Sequence, residues 1–289
     1  MKIGVVFPQT EFTPDPIAVR DYAQTVEGLG FSHMHAYDHV LGANPERPGG
    51  WTGPYTYKSS FFEPFVLFSY LAGLTHTIEF DTGILILPQR QTALVAKQAA
   101  TLDVLSQGRT RLGVGNGWNE LEYIALGENF HNRGKRMEEQ VQLLRLLWIQ
   151  PLVTLNGRWH NIPDAGINPL PVQRPIPIWF GGTDDRVLRT MARLGDGWML
   201  NIRTLEQVRQ KIDQLYQHLE ETGREKTSFG LDLRLNLSLV APDGWTGFID
   251  DCRALGATHL TVNSMGCGYD TPSAHLEALK QFAEVAGLS

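Results

Sequence analysis

Cysteine is scarce in this sequence of 289 residues, since only Cys252 and Cys267 are present. Two cysteines cannot build the disulfide framework of a small secreted protein, so we expect a reducing, cytoplasmic location. Long apolar runs are also missing. The first ten residues hold an apolar run of about five, too short for a signal peptide, and the apolar stretch 61–74 is interrupted by Glu63 and Pro64. It falls short of the roughly 20 residues of a membrane span, so we expect no membrane association.

Charge of one sign is not concentrated in any part of the chain. There are 25 basic and 31 acidic residues, a net charge of -6, without long runs of like charge. A nucleic-acid surface needs a basic patch, so a nucleic-acid partner is not expected. With 42% hydrophobic residues the chain can bury a sizeable core. Its length is close to the roughly 250 residues of a (β/α)8 barrel with insertions, which predicts one domain over residues 1–289.

The motifs of several enzyme classes are absent. The sequence has no G-x-S-x-G elbow, Walker loop or H-E-x-x-H. The glycines at 113–117 lack both the G-x-G-x-x-G spacing and the later acidic residue of a dinucleotide site. His33 and His35 resemble the H-x-H pair of metal hydrolases, but downstream only His259 lies on a predicted strand, and near its beginning. We therefore expect no metal site and interpret the pair as packed strand histidines.

The stretch from Thr82 to Trp118 gives the clearest indication of architecture. A continuous apolar run at 84–87 predicts a strand buried on both faces. Apolar residues then recur at steps of three and four up to position 107, and Gly108 stands where a helix C-cap would be. A second extended segment follows at 110–114. This strand, helix and strand predict a βαβ unit and hence a parallel sheet.

The same alternation continues through the chain. The predicted strands are 3–7, 32–37, 84–87, 110–114, 176–180, 198–201, 231–240 and 259–262. The predicted helices are 17–29, 65–75, 92–107, 136–148, 186–194, 205–219 with Thr204 as its cap, 248–255 and 273–286. We favour a closed (β/α)8 TIM barrel over an open doubly wound sheet, which places reactive groups after the strand C-termini.

Two irregular insertions interrupt the alternation. Val40 to Ser60 is rich in proline, glycine and aromatic residues and follows a strand end, which is typical of a lid or a pocket wall. Pro151 to Pro175 is the second. We expect these two segments to set the choice of substrate.

Three groups at strand ends are candidates for function. Asp38-His39 follows the second strand, where a histidine can donate a hydrogen bond or shuttle a proton near neutral pH. The segment 181–183, Gly-Gly-Thr, precedes a helix and could bind an anion, although a simple turn explains it equally well. The adjacent Asp184 and Asp185 would repel a phosphate unless they point away.

The third group is the glycine-rich segment after the fourth strand. Gly115, Asn116 and Gly117 would let a flat ring lie against the backbone at the barrel mouth, with Trp118 as a wall. The segment therefore predicts a pocket floor.

An ordered set of motifs makes the chain resemble a known family over about residues 1–265. The set comprises Asp38-His39, Thr82-Gly83-Ile84, Leu87-Pro88, Ala96-Lys97-Gln98, Thr101-Leu102-Asp103, Ser106-Gln107-Gly108-Arg109, Gly113-Val114-Gly115, Gly117-Trp118, Arg133-Gly134, Pro177-Ile178-Trp179, Gly181-Gly182 and Gly195-Asp196-Gly197-Trp198. It resembles the bacterial luciferase-like monooxygenase superfamily. Within it the chain is most similar to the deazaflavin (coenzyme F-420)-dependent oxidoreductases, with flavin-mononucleotide (FMN) monooxygenases as the neighbouring branch.

The resemblance implies a barrel that holds a flavin or 5-deazaflavin at the C-terminal ends of its strands. It implies a non-proline cis peptide at Gly83-Ile84 behind the cofactor ring, a histidine, His39, near the ring atom that accepts a hydride, and contacts of Gly181 and Gly182 with the cofactor phosphate. It also implies a homodimer. The expected cofactor-binding residues are His39, Gly83, Ile84, Gly115, Asn116, Gly117, Gly181, Gly182 and Thr183.

The sequence thus predicts hydride transfer between deazaflavin and a small, largely apolar organic substrate. His39 would be the proton donor or hydrogen-bonding partner, and Asp38 its orienter or a structural turn residue. A monooxygenase using reduced FMN and oxygen is the alternative, and a non-catalytic flavin-binding barrel is a third hypothesis. Some deazaflavin dehydrogenases of sugar phosphates carry a catalytic glutamate where this chain has Asn116, and an amide cannot act as that base, so their reaction is not expected here.

Overall fold

Eleven strands and nine helices are found in the part of the chain that the computed structural model describes, residues 1–12, 14–201 and 204–288. The strands are β1 (Lys2–Val6), β2 (His33–Ala36), β3 (Glu79–Thr82), β4 (Leu85–Ile86), β5 (Thr110–Gly115), β6 (Val153–Asn156), β7 (Asn161–Ala165), β8 (Ile178–Gly181), β9 (Gly197–Met199), β10 (Gly230–Asn236) and β11 (His259–Asn263). The helices are α1 (Pro16–Gly28), α2 (Pro64–Ala72), α3 (Thr92–Leu105), α4 (Glu120–Ala125), α5 (Arg133–Ile149), α6 (Asp185–Leu194), α7 (Leu205–Glu221), α8 (Trp245–Ala254) and α9 (Pro272–Ala286).

The large sheet closes on itself. Its strands follow the order β3, β2, β1, β11, β10, β9, β8, β5, β4, and β5 also pairs with β3. Every pairing is parallel, and Phe80 opposite Thr110 and Asp81 opposite Arg111 complete the ring. Because β3 and β4 share one position in the ring, the barrel has eight strand positions. The predicted (β/α)8 barrel is confirmed, and the open sheet is excluded.

The outward faces of the strands and the inward faces of the helices form the apolar core. Met34, Phe80 and Leu112 of the strands are fully buried, as is Trp148 of α5. The Trp148 indole Nε1 donates a hydrogen bond of 3.0 Å to the backbone oxygen of Ala96 in α3, so this large ring packs without an unpaired donor. The eight predicted helices are all present; the short helix α4 is an addition.

Polar and charged side chains fill the barrel interior. His33 and His35 share one face of β2 and are both buried, as the H-x-H alternation predicts. Burial raises the pKa of the Asp81 carboxyl, but the Arg111 guanidinium outweighs that effect and holds the pKa well below its usual range. His33, Asp81 and Asp232 are close enough to share a metal ion, but Arg111 already pairs with both carboxylates.

The predicted strand 84–87 is wrong in its boundaries. The third barrel strand ends at Thr82, resumes over Leu85–Ile86, and gives way to a short 3-10 turn at Leu87–Gln89. Between the halves, the peptide bond joining Gly83 and Ile84 is cis. The Ile86 backbone N–H donates to the Asp38 carboxylate, 3.0 Å away, instead of to a neighbouring strand. Ile86 still pairs with Gly115 of β5, so the Asp38 carboxylate adds a side-chain contact to this end of the ladder.

The insertion Pro151 to Pro175 is more regular than expected. It contains an antiparallel hairpin of β6 and β7. The Glu139 carboxylate of α5 accepts hydrogen bonds of 2.8 to 2.9 Å from the backbone N–H groups of Arg158, Trp159 and His160 in its turn. The hairpin is thereby fixed against a helix. Throughout the described ranges, no helix has both the length and the apolar character needed to cross a bilayer.

Candidate functional site

A cavity of about 360 Å³ opens at the C-terminal ends of the barrel strands. This volume lies within the usual range for small-molecule sites, and its position is where barrel enzymes place their chemistry. It is lined by His35, Tyr37, Asp38, His39, Tyr55, Gly83, Ile84, Ile86, Gly117, Trp118, Glu122, Gly181, Gly182, Thr183, Met199, Asn201 and Arg234. Seven of the nine expected cofactor residues are therefore brought together; Gly115 and Asn116 are not in the lining.

His39 is held by a carboxylate that the sequence did not point to. Its Nδ1 lies 3.3 Å from Oε1 of Glu122, which is almost fully buried on α4. The same oxygen accepts the backbone N–H groups of Val40 at 2.8 Å and Leu41 at 3.2 Å. Burial raises the pKa of Glu122, but hydrogen bonds from His39, Leu41 and Gln89 outweigh it and leave the pKa below its ordinary value. A charged carboxylate therefore faces Nδ1 and leaves Nε2 available to a ligand.

Aromatic side chains surround the other sides of the His39 ring. Its centroid lies 4.9 Å from that of Tyr55, 4.8 Å from that of Phe61 and 5.8 Å from that of Trp118. Only 13% of the His39 side chain is exposed. Tyr55 belongs to the insertion Val40 to Ser60, so the expectation that this insertion walls a pocket is confirmed. The insertion Pro151 to Pro175 contributes no lining residue here, because its hairpin is fixed to α5.

Asp38 has partners other than His39. Its Oδ1 accepts a hydrogen bond of 2.7 Å from Arg90, and its Oδ2 accepts the Ile86 backbone N–H. Arg90 also pairs with Glu63 at 3.0 Å. Burial lowers the pKa of Arg90, but the Asp38 carboxylate outweighs it and raises the pKa above its ordinary value. Of the two roles considered for Asp38, these contacts favour the structural one: the pair fixes the chain around β4.

Ile84 forms the back wall of the cavity, and glycines make room for it. A Cβ added at Gly115 would lie 1.8 Å from Cδ1 of Ile84, and one at Gly181 would lie 2.9 Å from its Cγ2. Gly115 is therefore behind the wall rather than on its surface. Gly83 is equally constrained, since an added Cβ would overlap the His35 ring, 1.5 Å from Nε2. These glycines allow Ile84 and His35 to pack closely at the barrel mouth.

Asn116 is not among the residues that line this cavity, and its place in the predicted pocket floor stays a prediction. Asn116 follows Gly115, the last residue of β5. It borders a second, larger cavity of about 880 Å³ between α5 and α6. That cavity is lined by Asn116, His131, Asn132, Arg133, Gly134, Lys135, Met137, Glu138, Asp184, Arg186, Val187, Arg189, Thr190 and Arg193. Five basic side chains, against two acidic ones, make it a cationic surface.

The segment Gly181 to Thr183 lies between the two cavities. The Gly182 carbonyl accepts a 2.8 Å hydrogen bond from the Trp198 indole, and Gly182 has a φ of +108°, which favours glycine. Asp185 is bound by Arg189 at 2.8 Å and His218 at 2.9 Å. The hydrogen bond from Arg189 is the main reason that the pKa of Asp185 falls to about 2. The charge of Asp185 is thus compensated beside the helix start.

Glu122, Arg234 and Tyr37 are the site residues that sequence reasoning missed. Glu122 lies on a helix of six residues, too short to give a periodic pattern. Arg234 alternates with leucines along β10 and shares a face with Asp232 and Asn236, and this polar face was the signal that could have identified it. Tyr37 directly precedes the Asp38-His39 pair.

Comparison with known proteins assigns the family. The model of the luciferase-like monooxygenase family matches residues 1–241. The chain belongs to the luciferase-like monooxygenase family. The resemblance stated from its motifs is therefore confirmed, and with it the assignment as an oxidoreductase.

Relatives within the family carry different activities in their names. An uncharacterised protein of Mycobacterium tuberculosis is 32% identical over 91% of this chain and 92% of its own length. An F-420-dependent glucose-6-phosphate dehydrogenase of Kineococcus radiotolerans is 28% identical over 82% of this chain and 68% of its own length. An FMNH2-dependent dimethylsulfone monooxygenase of Pseudomonas putida is 34% identical over 52% of this chain and 41% of its own length.

Solved structures share the fold. The monooxygenase RslO1 of Streptomyces bottropensis superposes with a TM-score of 0.79 at 19% identity, with 98% of each chain covered. At this identity the likeness shows the fold alone.

Proposed function

We propose that this protein is a deazaflavin (coenzyme F-420)-dependent oxidoreductase that transfers a hydride to or from a small organic substrate in the His39 cavity. The observation that carries the proposal is the His39–Glu122 pair, which faces the wall formed by Gly83 and Ile84. The choice of deazaflavin is supported by coverage: the F-420-dependent relative matches 82% of the chain and the FMNH2-dependent one 52%.

The residues around the cavity fit such a cofactor. Ile84 offers an apolar surface for the face of a planar ring. Gly182 and Thr183 lead from this cavity to the cationic one, where Lys135 and Arg186 could pair with phosphate groups. Nε of Arg133 is buried there without a hydrogen-bond partner among the residues described. That orphaned donor is what an anionic cofactor tail would satisfy.

His39 supplies the proton chemistry of the proposal. The bound deazaflavin would accept or donate the hydride, which is chemistry that no side chain provides. Glu122 favours the tautomer in which Nδ1 carries the proton, so Nε2 can accept a proton from a substrate hydroxyl as the hydride leaves. In the reverse direction protonated His39 donates that proton to a carbonyl oxygen. The surrounding aromatic rings exclude water from the transfer.

A monooxygenase that uses reduced FMN is the second candidate. The dimethylsulfone monooxygenase of Pseudomonas putida favours it, because at 34% its identity is higher than that of the F-420-dependent relative. In this case too, His39 and Ile84 would border the ring. The two candidates differ in the cofactor and in the use of oxygen.

The two functions are separated by the cofactor and by oxygen consumption. The cofactor retained by the purified protein is identified by its mass. Anaerobic substrate turnover with coenzyme F-420 supports the proposal, whereas oxygen uptake that requires reduced FMN supports the second candidate. Binding of either cofactor without turnover supports the non-catalytic barrel, and failure to bind either one refutes all three.

Further expectations accompany this proposal. We propose that the chain forms a single domain over residues 1–289 and a homodimer, as the family resemblance implies. A cytoplasmic location is consistent with Cys252 and Cys267, which are both free.

A further inference from the structure

The guanidinium-bearing residue Arg234 lines the His39 cavity. It lies on β10 and is half-buried. Its Nη1 donates a hydrogen bond of 3.0 Å to the Tyr37 hydroxyl oxygen, and its Nη2 lies 2.9 Å from Nε2 of His35. Its Nε is buried and has no hydrogen-bond partner among the residues described. The side chain is therefore fixed at two points while at least one donor is unsatisfied.

The contact with His35 determines how that ring is protonated. Arginine is always a donor, so Nε2 of His35 must accept and the proton of the neutral ring is on Nδ1. Nδ1 faces Oδ1 of Asp81 at 3.3 Å. His35 thus joins Arg234 to the charged network of the barrel interior, and it holds the guanidinium through a neutral acceptor. Neither Tyr37 nor His35 neutralises the charge of Arg234.

Arg234 differs in this respect from Arg90 and Arg111, two other arginines with little exposure. Arg90 pairs with Asp38 and Glu63, and Arg111 pairs with Asp81. Within residues 1–12, 14–201 and 204–288, Arg234 forms no ion pair. The two acidic residues that line the same cavity are already bound elsewhere, Asp38 by Arg90 and Glu122 by His39. A partly buried charge without a counter-ion is costly, and an anionic ligand would remove that cost.

Arg234 lines the same cavity as His39, the residue proposed to transfer the proton. Arg234, Tyr37, Tyr55 and His39 all line the same cavity of about 360 Å³. The Tyr55 ring in turn packs on His39 with centroids 4.9 Å apart. A ligand next to His39 can therefore reach the guanidinium. The phosphate of a cofactor has its own basic surface in the second cavity.

We propose that the substrate of this cavity carries an acidic oxyanion, a carboxylate or a sulfonate, and that Arg234 binds it. The inference rests on the proposed function in taking the His39 cavity as the substrate site. It replaces the sequence-based expectation of a largely apolar substrate. Arg234 sets specificity by charge, while Tyr37 and His35 hold its planar fork in a fixed orientation. A substrate of matching shape without the negative charge leaves the guanidinium unpaired and is bound weakly.

The test compares charged and neutral probes of one shape. Pentanoate and pentane-1-sulfonate are titrated against pentanamide by calorimetry, with wild-type protein both free of cofactor and saturated with coenzyme F-420. The same titrations use Arg234→Met, which removes the charge, and Arg234→Lys, which keeps the charge but lacks the planar guanidinium. Tyr37→Phe removes one of the two groups that hold the guanidinium. Thermal unfolding of each variant shows whether it is folded.

We expect the oxyanions to bind wild-type protein more tightly than pentanamide by about ten- to a hundredfold, the range of a charge-assisted hydrogen bond. Arg234→Met should abolish this preference and leave pentanamide binding unchanged, and Arg234→Lys should retain part of it. Equal affinity of wild-type protein for the three probes overturns the proposal. So does a folded Arg234→Met protein that keeps the preference, or one whose defect is confined to affinity for the reduced cofactor.

A control variant separates this proposal from the proposed function. Arg186→Met, in the second cavity, should weaken the binding of coenzyme F-420 and leave the binding of pentanoate unchanged. If no flavin-type cofactor binds but pentanoate still requires Arg234, the proposed function fails and the anion site stands. If the cofactor binds and pentanoate does not, the proposed function stands and the anion site fails.

Discussion

Nδ1 of His39 lies 3.3 Å from Oε1 of Glu122, and that oxygen also accepts the backbone N–H groups of Val40 and Leu41. One carboxylate therefore orients the histidine and shapes the chain that follows it. The hydrogen bonds keep the pKa of Glu122 low in spite of its burial. The pair connects the segment that follows β2 with α4, and its two residues are 83 positions apart in sequence.

Replacement of His39 tests its role in proton transfer. His39→Gln should reduce kcat by about a hundred- to ten-thousandfold, the usual contribution of general acid–base catalysis. The affinity for coenzyme F-420 should change little, because the wall at Ile84 and the basic cavity are untouched. Steady-state kinetics and a cofactor titration on the same preparation check both statements. Unchanged kcat would remove His39 from the mechanism.

Replacement of Glu122 tests its role in positioning His39. Glu122→Gln keeps acceptors for Val40 and Leu41 but removes the charge next to Nδ1. We expect kcat to fall by roughly ten- to a hundredfold, with KM nearly unchanged. Glu120→Gln is the matched control, since its side chain is 54% exposed on the same helix. Equal effects of the two substitutions would contradict the positioning role.

The close approach of Gly115 and Ile84 predicts a clash and its rescue. In Gly115→Ala the new Cβ meets Cδ1 of Ile84 at 1.8 Å, so the wall must move, at a cost of about 1 to 3 kcal/mol. Stability and cofactor affinity should both fall. Adding Ile84→Val removes Cδ1 and should restore much of each, because the next atom, Cγ1, is 3.2 Å away.

Gly247 provides the control for this experiment. It lies in α8, and a Cβ there meets nothing within 4 Å. Gly247→Ala should leave cofactor affinity unchanged and stabilise the helix by about 0.5 to 1 kcal/mol. Chemical denaturation and cofactor titration measure both effects. A double variant no better than Gly115→Ala would show that the packing of Ile84 does not control the wall.

The lowered pKa of His259 leads us to expect that the folded protein loses stability in mild acid. Burial, aided by the charge of Arg111, lowers the pKa of His259 to about 3 in the folded protein, from 6.5 when unperturbed. Between these values the unfolded chain binds the proton and the folded protein does not. The free energy of unfolding therefore falls as the pH is lowered through this window, by at most about 1.4 kcal/mol per pH unit.

The comparison uses His259→Phe, which keeps a ring against Trp179. Urea unfolding between about pH 7 and pH 4 should show a shallower dependence on pH for the variant than for wild-type protein. His33, whose pKa burial also lowers, contributes a remaining slope. Parallel curves for the two proteins would mean that His259 does not couple to folding.

The barrel was predictable because parallel strands covered on both faces leave apolar runs, and helices between them leave a different period. Elements without such a pattern were not predicted: the helix α4 has only six residues, and the strands β6 and β7 are short and mostly exposed. The strand interruption at Gly83 and Ile84 is followed by a contact between Ile86 and Asp38, which are 48 residues apart in sequence.

Residues that line the cavity were predictable where a strand end or the family resemblance pointed to them, as for His39 and the glycines Gly83, Gly117, Gly181 and Gly182. Glu122 was not predicted as the partner of His39, because the two residues are brought together only by tertiary contacts. The sequence could not show that Asn116 borders the second cavity, because the residue lies beyond the end of β5, where no strand pattern fixes its position. The cofactor-binding roles of these residues stay predictions.

The central claim is that the His39 cavity and the adjoining basic cavity hold a deazaflavin. Its most direct test is the measurement, side by side, of the dissociation constants of coenzyme F-420 and FMN for the wild-type protein. We predict that coenzyme F-420 binds more tightly than FMN. Tighter binding of FMN, or no binding of either cofactor, would contradict this account.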